Sequence, residues 1–90
     1  MARTVVRWNS DIVEKIRDKH GLTTSEVEDV LLDDTLPTTV SNSVPHRPCK
    51  FGYTSTGKHI IVVWVVLQVE PEVLLPVTAY PVSVPKRRRR

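Results

Sequence analysis

Most of what this chain lacks narrows its chemistry. A single cysteine, Cys49, excludes an intramolecular disulfide and any zinc site assembled from cysteines. It fits a reducing compartment, and a cytoplasmic location is the expectation. The longest apolar run, Ile60 to Leu67, is eight residues, against the roughly 20 that a membrane-spanning helix needs. A strand is expected there, with no membrane partner. Met1 to Trp8 carries Arg3 and Arg7 and no apolar stretch long enough for a secretory leader. The three histidines, His20, His46 and His59, are scattered, and no metal-ligand spacing such as H-x-x-x-H occurs. No cofactor or metal is expected. No internal repeat is visible.

What is present is a charge divide. Residues 1–45 hold five basic and eight acidic side chains, a net of −3, while residues 46–90 hold eight basic and two acidic, a net of +6. The halves add to the overall +3. A basic, β-rich second half is suited to a polyanion, and a solvated surface with a basic tail is the plainer explanation. Ninety residues make one domain, expected over 1–85, followed by the basic tail 86–90. A core this small is marginally stable, so partner binding would raise its apparent stability.

Local patterns divide the first half into a short strand and two helices. Residues 3–8 carry Val5, Val6 and Trp8 ahead of a turn-like Asn9-Ser10. Ser10 or Asp11 then caps a helix running to about His20, with Ile12, Val13, Ile16 and His20 on one stripe. Gly21 is its stop, because glycine enters the left-handed conformation cheaply. Thr23 and Glu26 form a T-x-x-E capping box, with Leu22 and Val27 as the hydrophobic staple. This second helix is expected to end near Asp33. Residues 34–48 hold three prolines and read as a loop.

The second half reads as strands. "CKFGYT" alternates Cys49, Phe51 and Tyr53 against Lys50, Gly52 and Thr54. "STG" turns the chain, with Gly57 supplying a positive φ. Both faces of His59 to Gln68 are apolar, which predicts a central strand covered on both sides. In the last strand Pro76 and Pro81 remove two backbone donors, so it is expected to be bulged or at an edge. The fold class is therefore α+β: a small antiparallel sheet with two N-terminal helices on one face, in the order β-α-α-β-β-β. An uncovered edge predicts association, as a homodimer or with another protein.

The residues Trp8-Asn9, Ile12-Val13, Lys15-Ile16, Lys19-His20-Gly21-Leu22 and Glu26-Val27-Glu28, then Val30-Leu31, are followed by Arg47, "GYTSTGKHIIVV" and "VTAY". In this order they resemble the BrnT-like toxins of bacterial type II toxin–antitoxin systems, which share a RelE-like ribonuclease fold. The resemblance covers most of residues 7–80. It implies RNA as substrate and restraint by a cognate DNA-binding antitoxin, the ribbon-helix-helix type being one form. The position after Gly57, commonly arginine in that family, is Lys58 here. A catalytically inactive toxin-like module, binding a protein or nucleic acid, is the alternative.

Metal-independent RNA cleavage needs a base for the 2′-hydroxyl proton, a cation for the phosphorane and an acid for the leaving 5′-oxygen. The candidates are His20, Arg47, Lys58 and Tyr80. Histidine suits proton transfer near neutrality. Arg47 and Lys58 would hold phosphate, arginine with a two-pronged fork. Tyr80 would stack on a base or donate a proton. Lys19, Lys50 and the tail Lys86, Arg87, Arg88, Arg89 and Arg90 are candidate nucleic-acid contacts. Each has a plainer role: His20 and Lys19 complement a helix dipole, Lys58 ends a strand, and Tyr80 covers the sheet.

Overall fold

The two helices meet at a corner built from local capping. In this computed structural model, which describes residues 4–40 and 46–83, α1 spans Ser10–His20 and α2 spans Thr24–Leu31. Asn9, not Ser10 or Asp11, is the N-cap of α1: its side chain accepts from the Asp11 amide at 2.8 Å. Asparagine serves this role as well as serine or aspartate, and Asn9 is the residue in extended conformation. Gly21 closes the helix at φ 66°, with its amide on the Arg17 carbonyl and the Leu22 amide on Ile16. The capping box of α2 is complete: Thr23 Oγ1 accepts from the Glu26 amide at 3.1 Å, and Glu26 Oε1 from the Thr23 amide at 3.0 Å. Leu22 and Val27 are both fully buried, as a staple requires.

Five strands form one sheet in the order β1-β5-β4-β3-β2. They are β1 (Thr4–Val6), β2 (Thr39–Val40), β3 (Pro48–Tyr53), β4 (His59–Gln68) and β5 (Glu72–Pro81). The α+β class and the central place of β4 agree with the sequence. Two details differ. The sheet is mixed, because β1 runs parallel to β5, Thr4 opposite Glu72 and Val6 opposite Leu74. The antiparallel expectation rested on the hairpins that join β3, β4 and β5. No hairpin holds β1, so its direction follows from where α1 leaves it. The proline-rich segment also contains β2, which pairs Thr39 with Cys49 and Val40 with Pro48.

β5 is both bulged and partly at an edge. Its register against β4 shifts between Val63 and Trp64, opposite Pro76–Thr78. β1 covers only Glu72–Leu74, so among the described residues the proline-bearing half has one open side.

Alternation sorts the side chains into two unequal layers. Ile60, Val62 and Trp64 of β4 join Leu74 and Ala79 against Ile16, Leu22, Val27, Val30 and Leu31 of the helices. Gly52 lies on this side, where the helical layer comes closest: a Cβ there would stand 2.6 Å from Leu36 Cδ1. The opposite face has a smaller cluster, Cys49, Ile61 and Val63, flanked by Val77 and Val82. Among the described residues no helix is long and apolar enough to cross a membrane.

Candidate functional site at the helix corner

The β3–β4 hairpin docks on the corner between α1 and α2. Its turn closes through the Thr54 amide on Lys58 O at 2.8 Å and the Gly57 amide on Thr54 O at 3.0 Å, with Gly57 at φ 90°. The Ser55 amide donates to Asp29 Oδ2 at 3.0 Å, fastening the turn to α2. Lys58 Nζ donates to the Gly21 carbonyl at 2.8 Å and lies 3.2 Å from Glu26 Oε2.

Glu26 is the centre of this junction. It is 6% exposed, and besides the Thr23 amide it accepts the Thr56 hydroxyl and the Lys58 ammonium. The carboxylate only accepts, so the Thr56 proton must point at Glu26. The Thr54 hydroxyl, 2.8 Å from Thr56 Oγ1, must then donate to it, and it accepts from the Lys58 amide at 3.0 Å. The result is a directed chain from the Lys58 amide through two threonines to Glu26. The Thr56 hydrogen bond, above all, holds the Glu26 carboxyl below its ordinary pKa. Burial opposes this, and the Thr23 amide and Lys58 add to the lowering.

Three of the four candidate catalytic side chains gather here. His20 ends α1, and its ring centroid lies 5.8 Å from that of Tyr80 at the open side of β5. Lys58 is bound to Gly21, the residue after His20. Lys19 is exposed on the same last turn. Arg47 is elsewhere. It is half-buried just before β3, whose far end, Tyr53, pairs with His59 next to Lys58. Roughly 20 Å of strand separates it from the corner at about 3.3 Å per residue.

Two assignments change. Lys50 is buried, its Nζ donating to Leu31 O at 2.9 Å and Asp33 O at 3.0 Å. It satisfies carbonyls at and beyond the end of α2, which explains why that helix stops at Leu31 without a glycine. It is not a nucleic-acid contact. Lys58 stays accessible, its side chain 44% exposed, but its pair with Glu26 is net neutral. It offers phosphate a donor rather than an uncompensated charge. Lys86, Arg87, Arg88, Arg89 and Arg90 lie outside the described residues.

The sequence reading missed Glu26 as a partner of Lys58. The capping box explains one oxygen of that carboxylate and leaves the other without an assigned donor, which was the available signal. Among the described residues no group of three His, Cys, Asp or Glu side chains is placed to hold a metal ion. Comparison of the chain with protein-family models finds no match, and comparison with curated proteins finds none.

Proposed function

We propose that this chain is an RNA-cleaving protein of the toxin–antitoxin kind, acting through the 2′-hydroxyl of its substrate at the His20 corner. The observation that carries the reading is the contact of His20 with Tyr80, drawn from a helix and a strand, beside Lys58. His20 takes the 2′-hydroxyl proton as the 2′-oxygen bonds to phosphorus. Tyr80 delivers a proton to the 5′-oxygen as its bond to phosphorus breaks, leaving a 2′,3′-cyclic phosphate. Lys58, oriented by Gly21 and Glu26, donates to a non-bridging phosphate oxygen, with Lys19 adding positive charge. Arg47 is a contact for the more distant backbone of the RNA. A cognate antitoxin would restrain the activity.

End-labelled RNA incubated in excess EDTA tests this reading. Wild type should cleave and leave cyclic phosphate ends. His20→Ala should lower the rate by about 10²–10⁴. Tyr80→Phe should slow cleavage, and Arg47→Ala should cost less than His20→Ala. Cleavage abolished by EDTA, or unchanged in His20→Ala, would refute the assignment. The second reading, a catalytically inactive binding module, is favoured by the neutralisation of Lys58 in its pair with Glu26. It requires that wild type cleave no RNA and arrest no growth while a protein partner co-purifies with it.

A further inference from the structure

The helical layer ends before the sheet does. α2 stops at Leu31, while β4 runs on to Gln68 and β5 begins at Glu72. A cavity of about 340 Å³ opens there, between the segment after α2 and the β1–β5 end of the sheet. Its volume falls within the range of small-molecule sites. Lys50 and Trp64, both buried, form its floor. Lys50 lies opposite Val62, and Trp64 is two residues further along β4, so strand alternation sends these side chains to the helix side. Thr4, Asp34 and Glu72 stand at the exposed rim. Tyr80 is at the other end of β5, roughly 25 Å of strand away. The cavity is therefore separate from the His20 corner.

Both floor groups have a donor to spare. Trp64 is 5% exposed, and among the described residues no acceptor takes its indole N–H, whereas that of Trp8 donates to Glu28 at 2.7 Å. Every fully buried side-chain nitrogen and oxygen among the described residues has a partner. The Trp64 nitrogen is therefore not fully buried, and the cavity is the space it opens on. The Lys50 ammonium carries three protons, of which the Leu31 and Asp33 carbonyls take two. Both acceptors are neutral, and among the described residues no carboxylate forms an ion pair with Lys50. The Asp33 carboxyl is turned to Thr35, whose hydrogen bonds hold it below its ordinary pKa, with Lys50 the smallest of the causes. A buried ammonium without a counter-charge is costly, so an anionic group in the cavity would be bound strongly.

The rim has the opposite character. The Thr4 hydroxyl donates to one Glu72 oxygen at 2.8 Å and leaves the other open, and Asp34 accepts from no described residue. One ammonium and two carboxylates give the lining a net charge of −1. A phosphate would be repelled by the rim, a metal cation by Lys50, and an apolar molecule would strand two buried donors. The complement is a molecule with one carboxylate and two cationic groups. We infer that this cavity binds a free dibasic α-amino acid, its carboxylate on the Lys50 ammonium and the Trp64 indole N–H, its α-ammonium and side-chain cation on Asp34 and Glu72. The carboxy-terminal arginine or lysine of a peptide lacks the α-ammonium and would leave one rim carboxylate unmatched. The inference does not draw on the cleavage reading.

The test is a nuclear magnetic resonance titration of the ¹⁵N-labelled full chain with L-arginine. The chain has two tryptophans and so two indole N–H signals, which Trp8→Phe assigns. The Trp64 signal should move saturably with arginine while that of Trp8 stays in place, and L-lysine should act in the same way. Three analogues each lack one group: agmatine the carboxylate, citrulline the side-chain cation and N-acetylarginine the α-ammonium. Each should bind at least about tenfold more weakly than arginine, the size of one lost charge-assisted hydrogen bond. Asp34→Asn and Glu72→Gln, both at exposed positions, should each weaken arginine about tenfold with the backbone spectrum otherwise unchanged. No saturable movement of the Trp64 signal at millimolar arginine would overturn the inference, since water would then serve the two donors. Equal binding of agmatine or citrulline would overturn it as well, and equal binding of N-acetylarginine would make a peptide terminus the ligand instead. Full affinity in both rim variants would show that the carboxylates take no part, and would refute the assignment.

Discussion

Substituting Glu26 tests whether the hairpin is clamped to the helix corner by one buried carboxylate. In Glu26→Ala the Thr23 amide and the Thr56 hydroxyl lose this acceptor, and the Lys58 ammonium loses its ion pair while keeping the Gly21 carbonyl. Loss of the capping interaction costs about 0.5–1 kcal/mol. A hydrogen bond to a charged acceptor contributes about 1.5–3 kcal/mol. The ion pair adds about 0.2–1 kcal/mol, since Lys58 is substantially exposed and regains water. The terms share one carboxylate and do not add in full, so a loss of about 2–3 kcal/mol is expected. Glu26→Gln keeps the shape and one carbonyl acceptor, and should cost about half as much. Its pH dependence is the sharper measurement. The folded-state pKa of Glu26 is depressed below its ordinary value of 4.5. As pH falls through that value the unfolded chain binds the proton first, so wild type loses stability. The contribution is fully present above the ordinary value and drains away toward the depressed one. Glutamine does not titrate, so the gap between wild type and Glu26→Gln should close on acidification. Urea unfolding followed by tryptophan fluorescence, at neutral pH and at steps into the acid range, reads both quantities. A gap that stays constant with pH, or a Glu26→Ala cost within error of zero, would refute the clamp.

Lys50→Met keeps the aliphatic stem but leaves the Leu31 and Asp33 carbonyls without their donor. Thermal or urea unfolding should show a loss of about 2 kcal/mol, and the salt dependence of nucleic-acid binding should not change, since Lys50 contacts no phosphate. Gly52→Ala drives a methyl against the Leu36 terminal methyl at 2.6 Å. It should cost about 1–2 kcal/mol by overpacking. Leu36→Ala in that background should recover part of the loss, so the two changes should be less than additive in a double-mutant cycle. Strict additivity would show that the contact is not where the strain falls.

Much of the local architecture was legible because its causes lie a few residues apart. The Gly21 stop, the Thr23–Glu26 box and the Leu22–Val27 staple are all closed within one or two turns of chain, and each formed as read. The two-faced apolar pattern of β4 marked a central strand, which it is, but the cover expected on both sides is incomplete: among the described residues the helices pack on one face, and Val66 and Leu67 near its end are 47% and 51% exposed. The N-cap of α1 shifted by one or two positions because Asn9, Ser10 and Asp11 are all competent caps and only the backbone conformation chooses among them.

The candidate site was legible only as a set of residue types. Which lysine faces solvent, and which is consumed by structure, depends on acceptors distant in sequence: 19 residues for Lys50 and Leu31, 37 for Lys58 and Gly21. A charged side chain in a strand reads the same whether it ends in water or on a helix terminus. The parallel docking of β1 on β5 was hidden for the same reason, since Thr4 and Glu72 are 68 residues apart. Sequence alone determined the helix corner, the central strand and the charge divide, because capping, periodicity and composition are local or additive. The tertiary structure alone decided that His20 meets Tyr80, that Arg47 stands apart and that Lys50 is buried. Those outcomes follow from how the helices and the hairpin pack together, and no short-range pattern encodes that distance.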